Sequence, residues 1–245
     1  MGLEDAGTAL SCPRPSMVLA ALHLARRWCT GHAIDGAPAM AHAVRVAVKL
    51  CQYYPTATAE LVAAVLLHDS PYFVPDGQDL DIVLSETVGN EVCRIVRAIE
   101  QEHFALAVYI SDPRRVEVHL RHAASHDRAV VLASAADKAV SLASIMRRVS
   151  RAGDICTYWS ARSAFVARIP YFWFFVNEVG WILPVGLAEE LSVLVAAAER
   201  SIRRAGLDPR TDAGCALLDT PREDSLDGDH TLLVDGREFR LLDGS

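Results

Sequence analysis

Two histidines and two aspartates stand where a divalent cation could be held. His42 opens one helical run, His68 and Asp69 sit side by side at the end of the next, and Asp137 lies inside a later apolar one. Imidazole nitrogens mixed with carboxylate oxygens suit Mn²⁺, Fe²⁺, Co²⁺ or Zn²⁺ better than Ca²⁺, which prefers oxygen ligands. A cation so held lowers the pKa of a bound water and offsets charge on a phosphoryl group, so this set could support hydrolysis of a phosphate ester or pyrophosphate. Asp137 carries the strongest physical argument. Its surroundings, AVVLASAADKAVSLASI, are small and apolar, so a carboxylate there is buried at a cost that something must offset. A cation would do so, and so would a salt bridge to Lys138 or to a nearby arginine. The other residues have plain alternatives too: His68-Asp69 as a polar helix stop, His42 as a satisfied core or surface histidine.

The elements that must position these residues are helical. Apolar residues recur at spacings of three and four in MVLAALHLARRWC, AHAVRVAVKLCQYY and ATAELVAAVLLHD, with Ser16 and Thr58 as expected N-caps. Gly31, Gly36 and Pro38 mark a loop before His42, and SPYFVPDGQD a second loop directly after Asp69. Helices are expected at LDIVLSETV, at NEVCRIVRAIEQEH, over 127–151, over 158–178 and over 187–205. Residues 1–15 read as a leader, 16–206 as one helical domain and 207–245 as a polar tail. In that tail Asp235-Gly236 separates two short alternating runs, which predicts a β-hairpin. The fold class expected is all-α, with that short hairpin appended.

Composition narrows the function. With 245 residues, 51% of them hydrophobic, the chain can bury one full core. A net charge of −7 argues against a nucleic-acid binder, which needs broad Lys/Arg surfaces. The six cysteines lack C-x-x-C spacing and read as small core residues in a reducing compartment. The first residues, MGLEDAGTALSCPRPS, hold no apolar run of signal length, and the apolar patch around 171–185 is broken by Asn177, Glu178 and Pro184. The expectation is a cytoplasmic protein with no membrane partner, its oligomeric state left open, homo-oligomers included.

Four segments together resemble a known family. Gly36 to His42 (GAPAMAH) is similar to a G-x-P-Y-x-x-H element, and Ala63 to Asp69 (AAVLLHD) to A-A-L-L-H-D. Thr87 to Ile99 resembles F-G-x-x-V-x-x-L-V, and Ala135 to Leu142 (AADKAVSL) resembles L-A-D-K-L-x-N-L. In this order they resemble the hydrolase domain of RelA/SpoT-type and small stand-alone alarmone hydrolases. These form the branch of the HD superfamily that removes pyrophosphate from the 3′ position of (p)ppGpp. The resemblance spans roughly residues 16 to 180. It implies an HD-type helical fold, one divalent ion, Mn²⁺ first among the candidates, and His42, His68, Asp69 and Asp137 as its ligands. It also implies a small phosphorylated substrate, a nucleotide or a related ester or pyrophosphate.

The chain departs from that family where the family's catalytic carboxylates stand. T-x-E-D-T follows the family's His-Asp pair; here Ser70, Pro71, Tyr72 and Phe73 follow it, and both acidic residues are gone. Loss of a general base is typically worth about 10²–10⁴-fold. Asp76, Asp79 and Asp81, in or just after the loop, are the candidate replacements, Asp76 and Asp79 first among them, with Asp69 itself contributing to catalysis. Ser141 stands in place of a substrate-contacting asparagine, and Ala39 in place of the tyrosine of G-x-P-Y. Lys138, Arg45, Arg115, Ser141 and Tyr72 are the candidate substrate contacts. The expected function is a metal-dependent phosphohydrolase; the alternative is a catalytically weakened nucleotide-binding or regulatory protein of the same fold.

Overall fold

A computed structural model of the chain describes residues 10, 13–34, 37–108, 114, 117–118, 120–121, 127–209, 231–234 and 237–240. Helix α1, Ser16–Cys29, begins directly after Pro15, so Ser16 is its first residue and not its cap. The loop that follows closes on itself as a small antiparallel pair, β1 (Ala33–Ile34) with β2 (Ala37–Pro38). The Ala39 amide bonds the His32 carbonyl at 3.0 Å, and α2, Ala39–Tyr53, starts there, two residues before the apolar periodicity places it. Helix α3, Ala59–Leu66, is capped as expected by the Thr58 hydroxyl, which accepts from the Leu61 amide. A 3₁₀ turn, Ser70–Tyr72, then leads through a loop to α4, Leu80–Val88. Gly89, at φ 95°, takes the left-handed conformation that ends α4 and lets α5, Asn90–Val108, turn back.

The long helix α6, Arg128–Val149, is capped by the Asp127 carboxylate. The single helix expected over 158–178 is three: α7 (Ile155–Ser160), α8 (Ser163–Ala167) and α9 (Ile169–Val179). Pro170 explains the second break, because a residue without an N–H fits the first turn of a helix and not its interior. Helix α10, Val185–Arg204, follows. In the tail, β3 (Thr231–Val234) pairs antiparallel with β4 (Arg237–Arg240), Val234 opposite Arg237, as the Asp-Gly turn signal predicts. The fold class is all-α, with ten α-helices among the described residues.

Helix α6 is the centre of the packing and touches α2, α3, α5 and α10. It is also the one helix among the described residues long and apolar enough to cross a membrane, and most of it is enclosed by its neighbours. Helix α3 is buried all round, from Leu61 through Leu67, as a helix without a polar face must be. The strongly apolar helices therefore form the core, and the polar side chains they carry are desolvated with them.

One such group is satisfied from within. Lys138 of α6 and Glu102 of α5 are each 2% exposed, with Nζ 2.7 and 2.8 Å from the two carboxylate oxygens. Ser134 Oγ donates to the same carboxylate at 3.1 Å, Tyr171 Oη also donates to it, and the ammonium lies 4.6 Å from the Phe175 ring centre. Removing one partner of such a pair strands the other. Lys138→Met is therefore expected to destabilise by about 3–5 kcal/mol in urea unfolding, and the added Glu102→Leu to recover most of that. Burial pushes the Glu102 carboxyl up, but the Lys138 charge outweighs it and holds it below its ordinary 4.5. A depressed carboxyl stabilises above the unfolded value and loses that contribution as pH falls. Stability of the native chain should thus fall more steeply below pH 4.5 than that of the double variant, as read by denaturation across an acid pH series.

Candidate metal centre

The four residues expected to form a site reach it from three places in the fold. His42 lies one turn into α2, in a helix whose start is set by the β1–β2 pair and the Ala39–His32 bond. His68 follows the end of α3, where its Nδ1 donates to the Val65 carbonyl at 2.7 Å. A carbonyl can only accept, so that bond leaves Nε2 as the nitrogen that faces the pocket. Asp69 comes next in the turn, and Asp137 lies midway along α6.

The side chains converge. His42 Nε2 is 2.9 Å from Asp137 Oδ1 and 3.9 Å from Asp69 Oδ2; His68 Nε2 is 3.2 Å from Asp69 Oδ2 and 3.7 Å from Asp137 Oδ1. Ligands 2.0–2.2 Å from one cation stand roughly 2.8–3.6 Å from each other, so these spacings are close to those of a coordination shell. Ligand atoms of His42, His68 and Asp69 all lie within 4.8 Å of one another and could hold a metal ion. His68 Nε2 and Asp69 Oδ2 are buried and have no aligned hydrogen-bond partner. Buried polar atoms of this kind are rare without an explanation, and a small cation between them supplies one.

Charge follows the same geometry. Burial lowers the basicity of His68, but the adjacent Asp69 carboxylate, the nearby Asp137 carboxylate and the bond to Val65 outweigh it and hold the imidazole at about 9. Burial raises the Asp137 carboxyl, yet the three imidazoles close to it, His103, His42 and His68, pull it well below the usual range. Nearby Cys29 is pushed up to about 11, first by burial and then by the Asp69 charge, so its thiol is neutral at ordinary pH.

The other candidate residues divide. Ser141, one turn after Asp137, places Oγ 3.4 Å from Asp137 Oδ1. Tyr72, in the 3₁₀ turn, reaches His103 Nδ1 with Oη at 3.4 Å. Arg45 lies one turn after His42 with its Nε buried and without a hydrogen-bond partner. Lys138, read from sequence as a phosphate contact, instead faces away from solvent and is held by Glu102, because its helix side packs into the core. Asp79 caps α4, its carboxylate accepting from the Ile82 amide at 3.0 Å, and Asp76 is exposed in the loop. Phe73 is buried and stacks on His32 at 4.6 Å, so the position of the family's second acidic residue belongs to the core. Arg115 lies outside the described residues.

His103 was not anticipated from the sequence. On α5, its Nε2 is 3.4 Å from Asp137 Oδ2, and its ring stands edge-on to His68, centres 5.9 Å apart. A signal for it existed. Buried Val92, Ile95, Val96 and Ile99 define the inner stripe of α5, and continuing that spacing by three and four arrives at Glu102 and His103.

No protein-family model matches this chain, and no curated protein matches it. Among solved structures, it is similar to one described as "A metazoan ortholog of SpoT hydrolyzes ppGpp and plays a role in starvation responses". That similarity covers 80% of this chain and 99% of the other, at 16% sequence identity and a TM-score of 0.49.

Proposed function

We propose that the chain is a metal-dependent phosphohydrolase of the HD type, with His42, His68, Asp69 and Asp137 holding one divalent cation. The observation that carries this reading is the meeting of two imidazoles and two carboxylates from three parts of the chain, with buried ligand atoms left unpartnered. Mn²⁺ is the first candidate, with Fe²⁺, Co²⁺ and Zn²⁺ also suited to such a donor set. Bound there, the cation would acidify a water and neutralise phosphate charge. The protein's own part is to orient the ligands: Val65 fixes the His68 tautomer, and Ser141 reaches the Asp137 oxygen that faces the histidines. Arg45 and Tyr72 are the proposed substrate contacts, and Asp69 the proposed catalytic carboxylate. Asp76 and Asp79 supply a base only by a movement of their loop. The substrate class is a nucleotide or a related phosphate ester or pyrophosphate, with 3′-pyrophosphate removal from an alarmone as the specific case, in a cytoplasmic setting.

A second reading has its own support. With Phe73 in the core, Tyr72 beside His103 and Asp79 capping a helix, the acidic pair that would follow His68-Asp69 has no counterpart in the turn after Asp69. That favours slow turnover or nucleotide binding without turnover.

Elemental analysis of the purified protein, then a screen for phosphate and pyrophosphate release with added Mn²⁺, separates the readings. Metal-dependent release from any nucleotide supports the enzyme; tight nucleotide binding without product supports the regulatory protein. Asp137→Ala is expected to weaken Mn²⁺ binding by more than the roughly 10–100-fold typical of an outer-sphere partner. Asp137→Asn should abolish turnover with less damage to folding, and unchanged metal content in both variants would refute the assignment.

A further inference from the structure

The two oxygens of Asp137 face different partners. Oδ1 looks to His42, His68 and Ser141, at 2.9, 3.7 and 3.4 Å, while Oδ2 looks to His103 Nε2 at 3.4 Å. A carboxylate turns easily about its last bond, so something must decide which oxygen is presented to the histidine pair. The other nitrogen of His103 supplies the decision. Its Nδ1 is 3.4 Å from Tyr72 Oη, with the two rings nearly parallel, 15° apart. Were Nδ1 the protonated nitrogen of a neutral ring, the lone pair of Nε2 would be turned against the Oδ2 lone pairs. With the phenol hydrogen donated to Nδ1, Nε2 carries its hydrogen towards Oδ2 instead.

We propose that His103, itself oriented by Tyr72, is a positioning residue that holds Asp137 Oδ2 and so presents Oδ1 to the cation. The proposal rests on the metal-site reading given above. His103 is not counted among the ligands. Its place is secured by its neighbour: consecutive residues Glu102 and His103 of α5 meet consecutive residues Lys138 and Asp137 of α6, so the buried ion pair sets the height at which the imidazole meets the carboxylate.

The test compares Mn²⁺ affinity, by calorimetry on the full chain, in the native protein and in His103→Ala, His103→Gln and Tyr72→Phe, each with its metal-free melting temperature. His103→Ala is expected to lose about 10–100-fold in affinity. His103→Gln, whose amide can donate from nearly the same point, should recover most of it, and Tyr72→Phe should lose affinity in the same direction but less. A simple packing role would lower the metal-free melting temperature and leave His103→Gln as weak as His103→Ala, and that result overturns the proposal. So does native affinity in His103→Ala. If the native protein binds no Mn²⁺, Zn²⁺, Co²⁺ or Fe²⁺, the metal site and this proposal fall together; native binding with an indifferent His103 removes the proposal alone. Nitrogen NMR of metal-free protein gives an independent reading: His103 protonated on Nε2 and bare on Nδ1 supports it, and the opposite tautomer overturns it.

Discussion

Charge buried in a helical core must find compensation, and the rest of this structure is arranged around that requirement. Helix α6 is apolar along nearly its whole length, yet it carries a carboxylate and an ammonium on consecutive residues. They turn to different neighbours and meet the requirement in different ways. Lys138 is matched by Glu102, whose remaining capacity is taken up by Ser134 and Tyr171, so that network is closed. Asp137 enters a cluster of three imidazoles and a second carboxylate in which several buried atoms have no aligned partner. Unequal completion separates this closed polar network from the candidate site.

The two networks are also linked mechanically. Because Glu102 and His103 are adjacent on α5, and Lys138 and Asp137 on α6, the closed ion pair fixes the approach of the helices that the open cluster needs. Helix α3 does the same for His68 by ending two residues before it, so that the Val65 carbonyl is free to hold the imidazole. Helices α2 and α6 and the turn that ends α3 carry the candidate donors. This suits a site in which positions matter to within a fraction of an ångström.

The surroundings differ in character from the centre. Where an acidic pair would follow His68-Asp69, the chain places an aromatic in the core and a phenol against His103. The candidate donors converge, while other polar groups beside them are few among the described residues. Substrate identity is therefore the least constrained part of the functional reading, and the donor set the most constrained.

The helical class, most helix boundaries, the Thr58 cap, the tail hairpin and the four candidate ligands were legible in the sequence, because periodicity, capping and turn chemistry act over a few residues. The break at Arg168 was missed where the aromatic run after Pro170 masked that proline's signal, and the break at Ala161–Arg162 has no proline or glycine to mark it. The sequence could not say whether Asp137 answers to Lys138 or to the histidines, since both were within reach on paper. Only the packing of α5 against α6 decided it, by giving Lys138 to Glu102 and leaving Asp137 to His42, His68 and His103. A residue's type is local, but its partner is set by which faces of distant helices are pressed together when their apolar stripes are buried.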